Sequence, residues 1–215
     1  MAITVVQSPT SSGSAAASTI TLTSTAVRGN LLVAFGSFIG AGVATFTDSA
    51  SGTWQTDPRM STYGGTTNSL QVATKVAAGG ETSVSMSSSG TAEGIVVYEL
   101  SGSSGRLDNV IVQNTSTGSL TALAVPTFTT TNKNAMVLGA IGLVSGSGTV
   151  SGWTGTPSLA KSPGTSASAR CWGGSGLPAA LVSSPTSTGH WPTTATGAMS
   201  MVATVVPAGG AAILF

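Results

Sequence analysis

Acidic side chains are scarce in this chain, which makes each of them a candidate for chemistry. There are six Asp and Glu in 215 residues, and one of them, Glu99, lies inside the apolar run GIVVYELSG at positions 94–102. A carboxylate in such surroundings is either a general acid with a shifted pKa or the polar end of a buried strand. Strand alternation places Glu99 on the same face as Ile95 and Val97, directly before a Ser-Gly turn. We interpret it as a strand end that reaches water or a backbone N–H at the rim of the fold.

A glycoside hydrolase needs two carboxyl groups that face each other about 5–10 Å apart. The candidates are Asp48, Asp57, Glu93 and Glu99. Asp48, in FTDSASGTW, fits a turn in which its side chain accepts bonds from nearby backbone N–H groups. Glu93 belongs to the turn that precedes the strand of Glu99. These positions predict no carboxylate pair, and a hydrolase remains an option only if Glu93 or Glu99 faces another acid across an open cleft.

Nucleophilic, metal and phosphate sites lack their signatures in this sequence. His190 is the only histidine, Cys171 is the only cysteine, and no G-x-S-x-G sequence occurs. One His and one Cys give no zinc-ligand spacing and no intrachain disulfide, and there is no G-x-x-x-x-G-K-[ST] phosphate loop. A calcium site built on Asp48 or Asp57 has no further support. The sequence therefore predicts no catalytic residue, no metal and no cofactor.

The tryptophans could form a carbohydrate platform or pack in the core. Trp54 and Trp153 follow similar Gly-containing turns about 100 residues apart, which favours two equivalent structural anchors. Trp172, His190 and Trp191 are left as candidate contacts to a glycan or to a protein partner.

The C-terminal sequence VVPAGGAAILF ends on apolar residues after a proline and two glycines. Such a tail either docks on a partner or folds back on its own core. Ile213, Leu214 and Phe215 are therefore candidate interface residues.

The charge of the chain excludes several classes of partner. Charged residues make up 6% of the sequence and the formal net charge is +1. The Lys and Arg residues are dispersed singly, so a basic patch for nucleic acid and a basic amphipathic helix for a membrane surface are both missing. The N-terminus lacks the features of a signal peptide, and the longest apolar run, residues 135–144, is about half a membrane span. We expect a soluble protein made without a targeting signal, with no nucleic-acid or membrane partner.

Strand-length runs rich in Val, Thr and Ser, separated by Gly- and Pro-containing turns, predict an all-β antiparallel sandwich. The alternation in TSVSMSS (residues 82–88) indicates a strand with one face in water. By contrast, NLLVAFGSF and GIVVYEL are apolar on both faces, so they lie in the middle of the sandwich or under a second protein surface. The predicted strands are 3–7, 19–22, 31–38, 46–48, 70–76, 82–86, 94–100, 107–114, 120–125, 135–144, 169–172 and 198–206.

A weak internal repeat of about 100 residues adds to this pattern. Four segments recur in the same order: GNLLVAFGSF and KNAMVLGAIGL, SASGTWQTDP and VSGWTGTPSL, LQVATK and ARCWGG, TAEGIVVYEL and ATGAMSMVATVV. We predict one sandwich domain over 1–215, built from half-units at roughly 1–107 and 108–206, with 207–215 as a tail. Two independent domains are the alternative.

The segments RGNLLVAFGSF, TDSASGTWQ and KVAAGGETSVSMSSSGTAEGIVVYELSG resemble β-sandwich proteins of tailed-bacteriophage virions. Related domains are minor tail proteins or head decoration proteins, often in phages of actinobacteria. The resemblance covers about residues 27–107 and carries no catalytic residues. It implies a jelly-roll-like domain, assembly into a particle and a non-enzymatic role.

These expectations combine into one hypothesis. The chain is expected to be a virion structural protein, made in the bacterial cytoplasm, and first of all a capsid decoration protein. Its partners would be other copies of itself and phage capsid or tail proteins. The alternatives are a minor tail protein and a carbohydrate-binding module for host attachment.

Overall fold

Every regular element that the structure describes is a β-strand, and every strand pairing is antiparallel. The all-β prediction is therefore confirmed. The structure is a computed structural model, and it describes residues 2–8, 17–40, 42–63, 68–90, 92–113, 122–128, 135–143, 154–155, 160–161, 171–176, 187–192 and 198–207.

All the predicted strands have counterparts, and the bounds differ by a few residues. The observed strands are β1 Thr4–Gln7, β2 Ala17–Thr21, β3 Leu31–Ile39, β4 Thr45–Asp48, β5 Gln55–Tyr63, β6 Asn68–Val76, β7 Ser83–Ser87, β8 Ala92–Ser101, β9 Ser103–Gln113, β10 Ala122–Phe128, β11 Met136–Leu143, β12 Thr154–Gly155, β13 Ala160–Lys161, β14 Cys171–Gly176, β15 Ser187–Pro192 and β16 Ala198–Pro207. Sequence reasoning missed β5, β12, β13 and β15. The first of these is polar and contains Pro58, which argues against a strand unless it lies at a sheet edge.

The strands form four sheets. Sheet I has the order β1-β8-β3-β6-β5, and sheet II has the order β2-β7-β4. Sheet III has the order β9-β16-β11-β14-β13, and sheet IV has the order β10-β15-β12. The order in sheets III and IV is that of sheets I and II with eight added to each strand number.

Sheet I lies between two hydrophobic cores, because its central strands are apolar on both faces. On β3, Leu31, Val33 and Phe35 pack with side chains of sheet III, while Leu32 and Ala34 pack with side chains of sheet II. Of the two places expected for NLLVAFGSF and GIVVYEL, the structure shows the first: both runs lie in the middle of the fold, between two cores. Strand β7 alternates between buried and partly exposed positions, so the prediction for TSVSMSS is confirmed as well.

A single glycine separates the eighth strand from the ninth. Strand β8 ends at Ser101 and β9 begins at Ser103, so the Ser-Gly turn predicted after Glu99 is only one residue long. Gly102 has φ +72°, and a Cβ there would lie 2.4 Å from the Ala2 carbonyl oxygen, so a larger residue does not fit. The predicted boundary between 107 and 108 falls inside β9.

The outer strands of sheets I and III pair with the same irregularity. Between β1 and β8 the register passes from Val5 to Gln7, which leaves one extra residue on β1. Between β9 and β16 it passes from Leu107 to Asn109, which again leaves one extra residue on the outer strand. A bulge therefore occurs at the corresponding place in both sheets.

Candidate functional site

Four polar side chains form the lysine cluster, which we define as Asp48, Trp54, Lys75 and Glu81. The Lys75 ammonium donates to Asp48 Oδ2 at 2.7 Å and lies 2.9 Å from Glu81 Oε1. The Trp54 indole N–H also donates to Asp48 Oδ2, at 2.7 Å. The Lys75 side chain is 6% exposed, and both carboxylates are fully enclosed.

Sheets I and II and the turn between β6 and β7 bring the cluster together. Asp48 ends β4, and its Oδ1 accepts a bond from the Ala50 N–H at 2.9 Å, as the turn prediction for Asp48 requires. Lys75 comes from β6, the neighbour of β3 in sheet I. Glu81 follows β6 and is held by the N–H groups of Ala78 and Gly79, at 2.7 and 3.0 Å. Trp54 is buried against Phe46, so its prediction as a structural anchor is confirmed.

The charges of the lysine cluster support one another. Burial raises the pKa of the Asp48 carboxyl, but hydrogen bonds from Lys75, Trp54 and a backbone N–H outweigh it and hold that pKa below 3.8. Burial likewise raises the pKa of Glu81, and bonds from Lys75 and backbone N–H groups bring it below its usual value. Burial lowers the pKa of Lys75, and the two carboxylates raise it above 10.5. The resting cluster is therefore an ammonium between two carboxylates.

The edge groove lies beside this cluster, between β5 of sheet I and β9 of sheet III. It consists of two adjoining clefts of about 290 and 240 Å³ that share Gln55 and Thr74. The first cleft is lined by Thr53, Gln55, Thr74, Lys75, Val76 and Gly105. The second adds Thr56, Asp57, Pro58, Arg106 and Leu107. The walls are mainly polar, and Arg106 is exposed.

Two residues of an irregular segment in β5, Asp57 and Pro58, line the second cleft of the edge groove. The register between β5 and β6 shifts between Thr56 and Met60, so the residues between them leave the ladder. Arg59 lies 2.8 Å from Asp57 and also donates to the Val110 carbonyl of β9, at 2.9 Å. The Arg59 guanidinium holds the pKa of Asp57 below its usual value.

Glu99 occupies a second enclosed polar site. The residue has no exposed surface, so the prediction that it reaches water is wrong, and the alternative of a backbone N–H is confirmed. Its carboxyl accepts bonds from the Val27 N–H at 2.8 Å, from Asn30 Nδ2 at 2.6 Å and from the Gln7 side-chain amide. Gln7 in turn accepts a bond from Thr23 Oγ1 at 2.8 Å. Glu99 thus ties β1 and the segment before β3 to β8.

These contacts decide what the acidic groups can do. Asp48, Glu81 and Glu99 face amide, indole or ammonium donors inside the protein, with no exposed carboxylate surface. Within the described ranges, no three His, Cys, Asp or Glu residues are grouped so that they could hold a metal ion. Across the same residues, no helix is long and apolar enough to cross a membrane.

The structure separates the aromatic candidates. Trp172 lies on β14 of sheet III, opposite Ile141. His190 and Trp191 lie on β15 of sheet IV, opposite Ala124 and Leu123. Several of the predicted residues lie outside the described part of the chain: Trp153, and all of the predicted tail at 207–215 except its first residue, which includes Ile213, Leu214 and Phe215.

Sequence reasoning missed the two residues that define the lysine cluster. Lys75 and Glu81 are separated by a Gly-rich turn, and nothing in their spacing indicates that Asp48 meets them. One signal was available: Lys75 is the only charged residue of strand β6, near its end, and an unpaired ammonium is costly in a buried strand. No family model matches the chain, and no curated protein or solved structure is significantly similar to it.

Proposed function

We propose that this chain is a non-enzymatic structural protein of a tailed-phage virion, and specifically a capsid decoration protein. It would coat the head through contacts with capsid proteins and with other copies of itself. The observation that carries the proposal is the enclosure of three of the six acidic side chains. Asp48, Glu81 and Glu99 are held by donors inside the protein, so none of them can serve as one of two facing carboxylates in an open cleft.

The strand order supports the finer part of the proposal. The orders β1-β8-β3-β6 in sheet I and β2-β7-β4 in sheet II follow the wrapping of a jelly roll, with β5 paired to β6. The same order in sheets III and IV favours two such units of eight strands. Their shared core joins sheet I to sheet III, which favours one double sandwich over two independent domains.

Exposed branched side chains supply surface for assembly. Val6 and Val27 are 45% and 56% exposed and lie near the Glu99 end of sheet I. Ile39 and Val43 are 39% and 64% exposed, at the other end of β3. Apolar contacts at both ends of one sheet suit a subunit that touches more than one neighbour in a symmetric array.

Capsid binding tests the proposal. The purified protein is sized in solution and then mixed with undecorated capsids of the parent phage, and the bound protein is measured after sedimentation. We expect saturable binding with a fixed number of copies per particle. A monodisperse monomer that never sediments with capsids overturns the proposal.

Two exposed valines allow a surface test that leaves the core intact. Val27→Asp and Val43→Asp place a charge on side chains that are more than half exposed, so both variants are expected to fold. We expect at least one of them to bind capsids more weakly by tenfold or more, because a buried unpaired charge opposes docking. Arg106→Ser, on the exposed wall of the edge groove, is the control.

A glycan-binding minor tail or attachment protein is the second candidate, and the edge groove favours it. Its walls carry the amide, hydroxyl and guanidinium groups that bind sugar hydroxyls. A glycan array tests it, with Gln55→Ala and Arg106→Ala set against Trp172→Ala, His190→Ala and Trp191→Ala. Loss of binding in the first group assigns the groove, and loss in the second assigns the aromatic residues. No binding by the unmodified protein overturns this candidate.

A further inference from the structure

The lysine cluster combines the reactants of an amide-forming reaction with groups that could assist it. An amine nitrogen and a carboxyl oxygen are 2.7 Å apart, on different strands of different sheets, and 27 residues separate them in the chain. A second carboxylate, Glu81, touches the same nitrogen at 2.9 Å. Such proximity replaces a bimolecular encounter by an intramolecular one and can lower the activation free energy by a large amount.

We propose that the Lys75 Nζ and the Asp48 Cγ join in an intramolecular amide bond, with Glu81 carrying the protons. The inference does not depend on the virion role, since it follows from the contacts of the cluster alone.

The reaction is a condensation that balances within the cluster. The Lys75 ammonium gives a proton along its hydrogen bond to Glu81, Glu81 passes it to one carboxyl oxygen of Asp48, and the free amine attacks the carbon of the resulting carboxylic acid. The second nitrogen proton reaches the same oxygen through Glu81. The C–N bond forms as the C–O bond breaks, one water leaves, and Glu81 ends as the carboxylate it was. No oxidant, reductant or activated donor is consumed.

Two donors are placed to stabilise the negative charge that develops during this attack. The Trp54 indole N–H bonds Asp48 Oδ2 at 2.7 Å, and the Ala50 N–H bonds Oδ1 at 2.9 Å. Each carboxyl oxygen of Asp48 therefore has a fixed neutral donor besides the lysine. Donors arranged in advance around a carboxyl group are the feature that stabilises tetrahedral intermediates in acyl transfer.

The surroundings keep water away from the reacting groups. The Lys75 side chain is 6% exposed. Backbone at Gly52 covers it so closely that a Cβ there would lie 2.5 Å from both Nζ and Cε of Lys75. The resting cluster is ionic, but exclusion of water lowers the cost of moving a proton from the ammonium to a carboxylate, because burial by itself disfavours charge. It also opposes hydrolysis of the amide once formed.

The mass of the denatured protein tests the proposal. We expect the purified chain to weigh less than its sequence mass by one water. A modified Lys75 is not cleaved by trypsin, so the digest should contain peptide 29–59 joined to peptide 60–106. Full sequence mass after prolonged incubation of the folded protein at neutral pH overturns the proposal.

Three variants separate this amide from other losses of water. Lys75→Met and Glu81→Gln should both keep the full sequence mass, and circular dichroism shows whether each retains its strands. Asp57→Asn is the matched control, because its carboxylate is also in short contact with a cation, at 2.8 Å, but that cation is a guanidinium. It should lose one water as the unmodified chain does. A loss of water that persists in Lys75→Met indicates a succinimide at Asp48 and contradicts the proposal, and a loss that persists in Glu81→Gln removes Glu81 from it.

Discussion

The first eight strands and the second eight strands solve the same packing problem with different polar groups. In sheet I, Gln7 of β1 stands opposite Glu99 of β8, directly after the bulge. In sheet III, Asn109 of β9 stands opposite Thr204 of β16, again directly after the bulge. The Asn109 N–H donates to the Thr204 hydroxyl at 3.1 Å, and Thr204 has no exposed surface.

The apolar positions beside these pairs stay apolar. Next to the bulge, Leu100 faces Val5 and Leu31 in sheet I. The corresponding residue of sheet III, Val205, faces Leu107 and Met136. The buried hydrophobic positions are thus kept in both halves, while the polar partners at the bulge differ. Glu99 is fully enclosed, whereas in sheet III the Thr204 hydroxyl donates at 3.4 Å to the carboxylate of Asp108, which is partly exposed.

The lysine cluster shows the same asymmetry. Lys75 pairs with Leu32 across β6 and β3. At the corresponding place of sheet III, Gly176 pairs with Val137 across β14 and β11. Strands β1–β8 thus carry a lysine in contact with two carboxylates where strands β9–β16 have a glycine. The same strand order therefore forms without a lysine at this place.

The largest expected effect comes from removing the lysine of the lysine cluster. Lys75→Met leaves Asp48 and Glu81 enclosed without it, whether Lys75 is held as an ion pair or as the proposed amide, and should lower the free energy of unfolding by about 3–5 kcal/mol. Chemical denaturation at pH 7 measures it. Arg106→Met removes a cation from an exposed position and should change stability by less than about 0.5 kcal/mol. If the two variants lowered the free energy of unfolding equally, the enclosed contacts of Lys75 with Asp48 and Glu81 would add no stability over an exposed cation, and this prediction would be wrong.

Glu99→Gln compared with Thr204→Val tests the two bulges. Glu99→Gln replaces a carboxyl oxygen, which accepts hydrogen bonds, by an amide N–H₂ that faces other donors. It should lower the free energy of unfolding by about 1–3 kcal/mol. The second replacement removes a hydroxyl that accepts from the Asn109 N–H at 3.1 Å and donates to the Asp108 carboxylate at 3.4 Å, and it should cost about 0.5–1.5 kcal/mol. Urea titration of both variants decides the order. A larger loss for Thr204→Val contradicts the role given to the Glu99 network.

Acid sensitivity of Glu81→Gln reports on the remaining ion pair. In this variant Lys75 and Asp48 should stay ionic, and the pKa of Asp48 lies below 3.8 in the folded chain. A folded-state pKa below the unfolded value of about 3.9 gives stability that is present above that pH and is lost as the pH falls through the folded pKa. We expect constant stability from pH 7 to about 5 and a loss below about pH 4. Additional Asp48→Asn should reduce that loss to the part due to Asp57, whose pKa is also lowered, and an unchanged acid profile would speak against the pair.

The smallest change in stability is expected from Arg59, which joins β5 to β9. Arg59 is half exposed in its side chain, at 46%, so its bond to Asp57 is screened by water. Arg59→Met removes this pair and the bond to the Val110 carbonyl of β9 and should cost at most about 1 kcal/mol. Thermal unfolding at low and high salt measures it, with the difference from the unmodified chain shrinking at high salt. If Arg59→Met lowered the free energy of unfolding more than Glu99→Gln does, the edge contact would be a larger source of stability than the enclosed Glu99 network, and this prediction would be wrong.

Much of this fold follows from local patterns, while the polar sites do not. The runs LLVAFGSF and GIVVYEL are apolar at successive positions, so their burial on both faces could be predicted. Strand β5 could not, because its nine residues include Pro58 and read as polar loop. Its pairing depends on an edge position and a bulge that only the assembled sheet defines. The contact of Asp48 with Lys75 joins two strands of different sheets, and the single sequence carries no trace of that distance.

For Glu99, the local sequence predicts the backbone partner but not the enclosure of the side chain. Its place at the end of an apolar strand was sufficient to predict a backbone N–H partner. Its enclosure depends on Gln7 and Asn30, which approach from segments 92 and 69 residues away. Long-range polar partners of this kind are set by tertiary packing and are not encoded in neighbouring residues.

The proposed virion role is tested most directly by electron cryo-microscopy of a phage particle whose genome encodes this chain, at a resolution that places subunits. We expect density for the chain at symmetry-related positions on the outside of the head. Density only at the tail, or none on the particle, would contradict it.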